Sequence, residues 1–317
     1  WLIICKEILI WALNLCLNNG SLLCELLVFF LQFKNPLSKI NVLRFDDENR
    51  NNLKDISALL KKKKVIANQT LLNLYFRVLG NDKSIRAGEY LFKKNISFYE
   101  VIKTLGNSNL VYRKITIPEC LTVFEIVEIL KKNKFISGKL KKLPLEGTLY
   151  PETYFFLRNE NINNFVKRME VKMNENLKEV WKNNNKYLKS KNDLLIMASL
   201  IEAEAKNKND KYLISSVSHN GLKKNIRLQS DPTILYKKNL NKVKKDLKIY
   251  KKDLQSDNPW NTYTRKGLPI SPICNPGKEA ILAAANPYIS DYLYFVSDGE
   301  GGHKFSKNLK EHNINVK

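Results

Sequence analysis

Histidine is scarce in this chain of 317 residues: His219, His303 and His312 are its only three, and they lie far apart. Of the five cysteines, Cys5, Cys16 and Cys24 belong to an apolar amino-terminal stretch, which leaves Cys120 and Cys274 for the remainder. No CxxC pair and no Cys/His ligand spacing occurs, so a structural zinc site is not expected, nor any other metal or cofactor. One disulfide between Cys120 and Cys274 is compatible with the composition, although no spacing argues for it. Neither the Walker nor the Rossmann glycine pattern is present, so GEGGHKF (299–305) is not a phosphate loop. Its glycines suit a tight turn after YLYFV, and His303 either lines a cleft or bonds to that turn. No small-x-small cleavage site precedes Lys34, which argues against a cleaved signal peptide.

Acidic residues are also few, 31 against 54 Lys and Arg, giving a formal net charge of +23. Such a surplus suits nucleic acid, an anionic membrane surface or an acidic polymer. A general drift toward Lys and Asn accounts for it equally well, since KKKK (61–64) and KNNNK (182–186) recur without gathering on one arm or one helix face. The 44% hydrophobic content is enough for a packed core.

Residues 8–33 are long enough to cross a bilayer, which takes about 20 apolar residues. Asn14, Asn18, Asn19 and Glu25 interrupt them. A single membrane anchor over 1–33 is expected. Lys34, Lys39 and Arg44 beyond it favour a cytoplasmic side when taken alone, but long domains cross largely regardless of such charges. The first residue is Trp1 rather than Met, so an upstream start is expected.

Beyond the anchor, short strands alternate with helices. KINVLRF (39–45) reads as a strand, and Leu53, Ile56, Leu59 and Leu60 recur at helical spacing. LLNLYFRVLG (71–80) is a helix with Gly80 as its stop. IRAGEYLFK enters the helix SFYEVIKTLG, and VYRKITIPE enters LTVFEIVEILKKN. LEGTLYPETYFF (145–156) changes the character of the chain: Gly147 and Pro151 punctuate an aromatic segment with two acids, Glu146 and Glu152. A long polar helix over 162–186 follows.

Then comes MASLIEAEAKN (197–207), where two acids end an apolar run. Asp193 can cap this helix, which is apolar on nearly every side and therefore belongs in a core. A carboxylate there is costly unless it is hydrogen-bonded, protonated or needed. Glu202 and Glu204 lie roughly 200° apart at 3.6 residues per turn, so they face opposite sides. They cannot act as a paired acid and base from this helix. Glu202 shares its stripe with Ala198, Ser199 and Ala205, small side chains that leave room for a ligand. Glu204 shares its stripe with Met197, Leu200 and Ile201, which fill space. Geometry therefore favours Glu202 as a general acid with a raised pKa, with Glu204 bonded to a neighbouring group.

From Ile85 onward the chain resembles the endolytic murein transglycosylases, the YceG-like family. IRAGEYLF, KITIPECLTVFEI, LEGTLYPETY, ASLIEAEAKN, RLQSDPTILY, WNTYTRKGLP, ISPICNPG and YLYFVSDGEGGHKFS carry the match, in order and at fitting spacing. The resemblance implies an α+β fold in three parts: an amino-terminal transmembrane helix (1–33), a region with a small LysM-like α+β subdomain (34–143), and a larger mixed α/β catalytic domain (144–317). It implies a bacterial inner-membrane protein whose remainder lies outside the cytoplasm, where nucleic acid is no partner and peptidoglycan synthases are candidates. Its activity would be non-hydrolytic cleavage of nascent peptidoglycan strands, leaving 1,6-anhydro-N-acetylmuramoyl ends. It assigns the catalytic glutamate to the first acid of I-E-x-E, Glu202, with Glu204 supporting. Gln229, Ser230, Asp231, Asn261, Tyr263 and Glu146 would orient the glycan, or serve as turn and structural residues. One acid is chemically sufficient, because a lytic enzyme draws its nucleophile, the C6 hydroxyl, from the sugar itself. The sequence departs from the family pattern at Cys120 and Asn225, where Gly is usual, and at Gly221, where Arg is usual. A catalytically weak peptidoglycan-binding scaffold is the alternative reading.

Overall fold

The computed structural model describes residues 41–45, 53–78, 85–181, 188–205, 207–242 and 247–316. The expected span over 8–33 lies outside the described residues, among which no helix is long and apolar enough to cross a membrane. The chain divides into two compact units, one ending at Arg113 and the other starting at Lys114.

In the first unit, β1 (Asn41–Phe45) pairs antiparallel with β2 (Gly88–Phe92), Leu43 lying opposite Tyr90. Period-two alternation turns Leu43 and Phe45 inward and leaves Val42 exposed. Two amphipathic helices, α1 (Leu53–Lys62) and α2 (Gln69–Val78), connect the strands. Gly80, the expected stop of α2, lies outside the described residues. After β2, α3 (Phe98–Gly106) starts in a capping box between Ser97 and Glu100. Leu60, Leu72, Phe76, Tyr90, Phe92 and Leu105 make one apolar core. The buried Tyr90 hydroxyl is satisfied by donating to Arg86 O at 2.8 Å.

The second unit carries three more strand pairs. β3 (Arg113–Thr116) pairs with β5 (Thr153–Phe156), β4 (Ile136–Ser137) runs parallel to β6 (Glu160–Asn161), and β7 (Tyr294–Ser297) forms a hairpin with β8 (His303–Ser306). Every sheet among the described residues has two strands, so the fold is α+β and helices supply most of the core. Residues 114–143, grouped with the amino-terminal region on sequence grounds, pack here. α4 (Val123–Lys132), capped by a Thr122–Glu125 box, buries Val123, Ile126, Val127 and Leu130 against Tyr154, Phe156 and Phe165. α5 (Ile162–Val180) was expected to be polar. Its Lys and Asn residues mask a buried stripe of Phe165, Val166, Met169, Met173 and Leu177 at helical spacing.

α6 (Lys191–Glu204) is the core helix that its composition implies, buried continuously from Leu194 to Glu202. Its cap, Ser190, lies three residues before the expected one, Asp193. Ser190 accepts from Asp193 N, while Asp193 Oδ2 accepts from Lys189 N at 2.8 Å. Around α6 pack α7 (Lys208–Lys223), α8 (Asp231–Lys238) and α10 (Lys278–Ala285), while α9 (Lys251–Gln255) and α11 (Leu309–Asn315) have no buried residues. Ala280, Ala283 and Ala284 are fully buried, and their small side chains let α10 approach α6 closely. The last carbonyls of α10 would otherwise be orphaned in this core. Ser215 donates to Ala283 O at 2.7 Å and His219 to Ala284 O at 2.9 Å, with burial holding the His219 pKa below its ordinary value.

Phe165 packs against both Tyr154 and Phe156, at ring-centroid distances of 5.4 and 5.7 Å. Phe165→Ala removes the shared ring of this cluster and is expected to cost about 3–5 kcal/mol of stability. A urea titration followed by circular dichroism measures it.

Candidate active site

The last turn of α6 places its two glutamates in opposite environments. Glu202 is buried, and both its oxygens are engaged: Oε1 accepts from Lys211 Nζ at 2.7 Å, and Oε2 from Gly277 N at 2.9 Å. Lys211 comes from the first turns of α7, and Gly277 caps the start of α10. Burial pushes the Glu202 pKa up, against the pull of Lys211 and the Gly277 N–H, which favour the carboxylate. Burial alone would lower the Lys211 pKa, but Glu202 and Glu119 outweigh it and keep the ammonium charged. Glu119 joins this pair at 3.5 Å from Lys211 Nζ. A Cβ on Gly277 would fall 1.7 Å from Glu119 Oε1, so any other residue there would displace the Glu119 side chain.

The small residues beside Glu202 do not leave room for a ligand. They admit backbone. Ser199 Oγ accepts from Ile273 N at 3.1 Å, and Cys274 Sγ donates to Ser199 O at 3.5 Å, so the segment leading to Gly277 fills that face.

Glu204, the final residue of α6, lines an open cleft of about 880 Å³ together with Gln229, Asp231, Tyr263 and His303. Lost solvation raises its pKa to about 7, opposed by a Ser230 hydroxyl that donates to Oε1 at 2.6 Å and reinforced by the nearby Asp231 charge. No lysine or arginine ion-pairs with it in the described structure. Its position at a helix carboxyl end adds carbonyl dipoles that further disfavour the anion.

The RLQSDPT turn builds the opposite wall. Gln229 adopts a left-handed backbone, φ +53°, and bonds through its N–H to Thr262 O. Ser230 sits at the N-cap of α8 yet does not cap it, since its hydroxyl goes to Glu204. Asp231 Oδ1 accepts from the Tyr263 hydroxyl at 2.5 Å, and burial together with this carboxylate raises the Tyr263 pKa. Gln229, Ser230, Asp231 and Tyr263 are thus brought together around Glu204.

Asn261 and Glu146 are not. Asn261 is 1% exposed and spends its amide on Leu254 O, Ser256 O and Tyr263 N, holding the WNTY loop. Glu146 accepts from Val123 N at the start of α4, from Asn275 Nδ2 and from the Tyr236 hydroxyl, and burial raises its pKa to about 7. Both are frame residues in this structure. Sequence reasoning missed Asp210, whose Oδ2 lies 2.8 Å from His303 Nδ1 and turns that ring in the cleft wall. Nothing local to Asp210 signals the pair, which joins residues 93 positions apart. Among the described residues no three His, Cys, Asp or Glu side chains gather as a metal-holding group.

Fold and cleft define a class: an α+β protein that presents one carboxyl near neutrality, backed by polar side chains, in an open cleft. The chain belongs to the YceG-like family, which matches residues 48–317. It is 34% identical over 291 residues to the endolytic murein transglycosylase of Bacillus subtilis strain 168, covering 81% of this chain and 79% of that protein. The endolytic murein transglycosylase of Streptococcus pneumoniae D39 is 27% identical over 311 residues, 84% of this chain and 56% of that protein. The crystal structure of a YceG-like protein of Listeria monocytogenes superposes with a TM-score of 0.56 at 30% identity, over 87% of this chain and 98% of that one.

The Glu204 pKa has a thermodynamic consequence. A group at about 7 in the native state and about 4.5 when unfolded keeps a proton that the unfolded chain releases between those values. Its contribution therefore weakens the fold as pH rises from about 4.5 to 7. Glu204→Gln removes this penalty, so the variant is expected to melt higher than the parent at pH 8 and at the same temperature at pH 4.5. Paired melting curves across that range read it directly.

Proposed function

We propose that this chain is a lytic transglycosylase that cleaves peptidoglycan glycan strands internally without water, with Glu204 as its proton donor and acceptor. The observation that carries the assignment is the exchange of roles on α6: Glu202 is locked in an ion pair, while Glu204 faces the cleft with a pKa near 7. A pKa near the working pH lets one group serve as acid and then as base. Ser230 holds Oε1, which leaves Oε2 for the substrate.

In the first half of the reaction, protonated Glu204 gives its proton to the glycosidic oxygen as the bond to C1 breaks. Positive charge grows on the ring, and the Asp231 carboxylate, which also lines the cleft, favours it. In the second half, the Glu204 carboxylate removes the proton from the C6 hydroxyl as that oxygen closes on C1. The products are a free hydroxyl end and a 1,6-anhydro-N-acetylmuramoyl end, and Glu204 is protonated again. No second carboxylate is needed, because the nucleophile belongs to the sugar. Gln229, Tyr263 and His303, the last turned by Asp210, orient the glycan.

The remaining parts of the reading follow the substrate. The β1-α1-α2-β2 order of the first unit supports a LysM-like role in holding glycan. A membrane anchor preceding it would keep the second unit outside the cytoplasm, beside strands as peptidoglycan synthases make them.

The test separates the two acids. Purified sacculi are digested with each variant and anhydro-muropeptides are counted by mass spectrometry, alongside a melting curve. Glu204→Gln is expected to lose about 10²–10⁴-fold in product while remaining folded. Glu202→Gln leaves Lys211 without its main partner and is expected to lose about 3–5 kcal/mol of stability, yet to retain cleavage below its melting temperature. A folded, inactive Glu202→Gln beside an active Glu204→Gln reverses the assignment.

A further inference from the structure

The two cysteines among the described residues, 154 positions apart in sequence, meet in the fold. The Cys120 and Cys274 side chains line one small cavity, close enough for the Cys120 thiol to raise the Cys274 pKa. Their backbones are tied at the same place: Cys120 N donates to Asn275 O at 3.0 Å, and Asn275 N donates to Leu121 O at 2.9 Å. The Asn275 side chain adds a third bond, from Nδ2 to Leu121 O at 2.8 Å. Neither thiol reaches this position by drift of a loose loop.

Cys120 also occupies its site at a cost. Its φ is +62°, a left-handed backbone that glycine adopts freely and a side chain with a β-carbon does not. Cys274 is 2% exposed, whereas Cys120 is partly exposed, and both line a cavity of about 80 Å³ that also touches Tyr236 and Asn239. An external reagent therefore meets Cys120 first and leaves Cys274 as the resolving thiol. Burial raises the Cys274 pKa, with the Cys120 thiol adding to it, so Cys274 is the less reactive of the two.

We infer that Cys120 and Cys274 form a disulfide crosslink when the protein meets a disulfide oxidant. The Cys120 thiolate attacks one sulfur of the oxidant RS–SR, forming Cys120–S–S–R and releasing RS⁻. The Cys274 thiolate then attacks the Cys120 sulfur, forming the Cys120–Cys274 bond and releasing the second RS⁻. Two protein thiols are oxidised by two electrons, the oxidant is reduced to two thiols, and the two thiol protons pass to the RS⁻ groups. The crosslink closes a loop from the residue before α4's cap region to the segment ahead of Gly277, enclosing both glutamates of α6. A loop of that length constrains the unfolded chain strongly. This inference does not depend on the catalytic reading.

The full chain is equilibrated in oxidised or reduced glutathione, alkylated, digested without reduction and analysed by mass spectrometry, with melting temperatures taken in parallel. The expected result is a Cys120–Cys274 linked peptide, lighter by two hydrogens than its reduced parts, and a melting temperature higher by roughly 5–10 °C in the oxidised form. Cys120→Gly suits the left-handed backbone, so it should fold and lose the redox dependence of melting. Cys274→Ala should stop at a glutathione adduct on Cys120. A stable glutathione adduct on Cys120 in the parent chain overturns the proposal, as does linkage to Cys5, Cys16 or Cys24 instead. So does a redox-dependent melting shift that survives Cys120→Gly.

Discussion

The buried Glu202 carboxylate is the constraint on which the second unit turns. It sits on a helix buried continuously from Leu194 to Glu202, where an unpaired charge would cost several kcal/mol. The structure meets that cost by bringing Lys211 from α7 and the Gly277 N–H from α10 to its two oxygens. One side chain thereby ties three helices of this core together, beside the Ser215 and His219 bonds from α7 to α10. Hydrophobic burial alone is non-directional and would let such helices slide. Polar groups with demanding geometry do not. Even the Glu119 carboxylate, half exposed at the edge, is accommodated because Gly277 has no β-carbon to displace it.

With Glu202 committed to the frame, the acid two residues later is placed by it. Glu204 closes the same helix, so whatever fixes α6 against α7 and α10 also fixes the carboxyl in the cleft. Burial raises both pKa values, but the two carboxyls have different partners. Glu202 faces a cation and the amino end of a helix, whereas Glu204 sits at a carboxyl end with a neutral hydroxyl and another acid nearby. Two acids on one helix thus meet different partners, a lysine and a backbone N–H for one and a serine hydroxyl for the other.

Much of the fold was legible because it is local. KINVLRF read as a strand, helical spacing marked α1, and the stretches of α2 to α4 read as helices. The core character of α6 followed from its composition. The orientation of its acids did too, but not what each one meets. Ala198, Ser199 and Ala205 read as space for a ligand, when small side chains serve equally to admit a backbone segment. That segment arrives from 74 positions away, and the Gly277 N–H from 75. I-E-x-E offers two acids, and the partners that distinguish them, Lys211 and Gly277 for Glu202 and Ser230 for Glu204, are non-local. Two departures from the family pattern become intelligible as backbone effects. Cys120 and Asn225 both stand at positive φ, where glycine is the unstrained residue and Asn the best-tolerated substitute.

The turn opposite Glu204 gives up stability in a way that agrees with a working site. A serine at a helix N-cap ordinarily accepts from its own helix, a bond typically worth about 1 kcal/mol. Ser230 forgoes that bond and donates to Glu204 instead. α8 tolerates the loss because Pro232 in its first turn has no N–H to satisfy. Gln229, just before it, holds a left-handed backbone that glycine or Asn would adopt more cheaply, and its N–H is anchored to Thr262 O. Thr262 and Thr233, both buried, lock the turn from beneath through Ser230 N and O. Strain and a missing cap would be odd in a connecting loop. They are coherent in a loop whose geometry is dictated by the carboxyl it faces, because such local departures persist only where surrounding structure over-determines them.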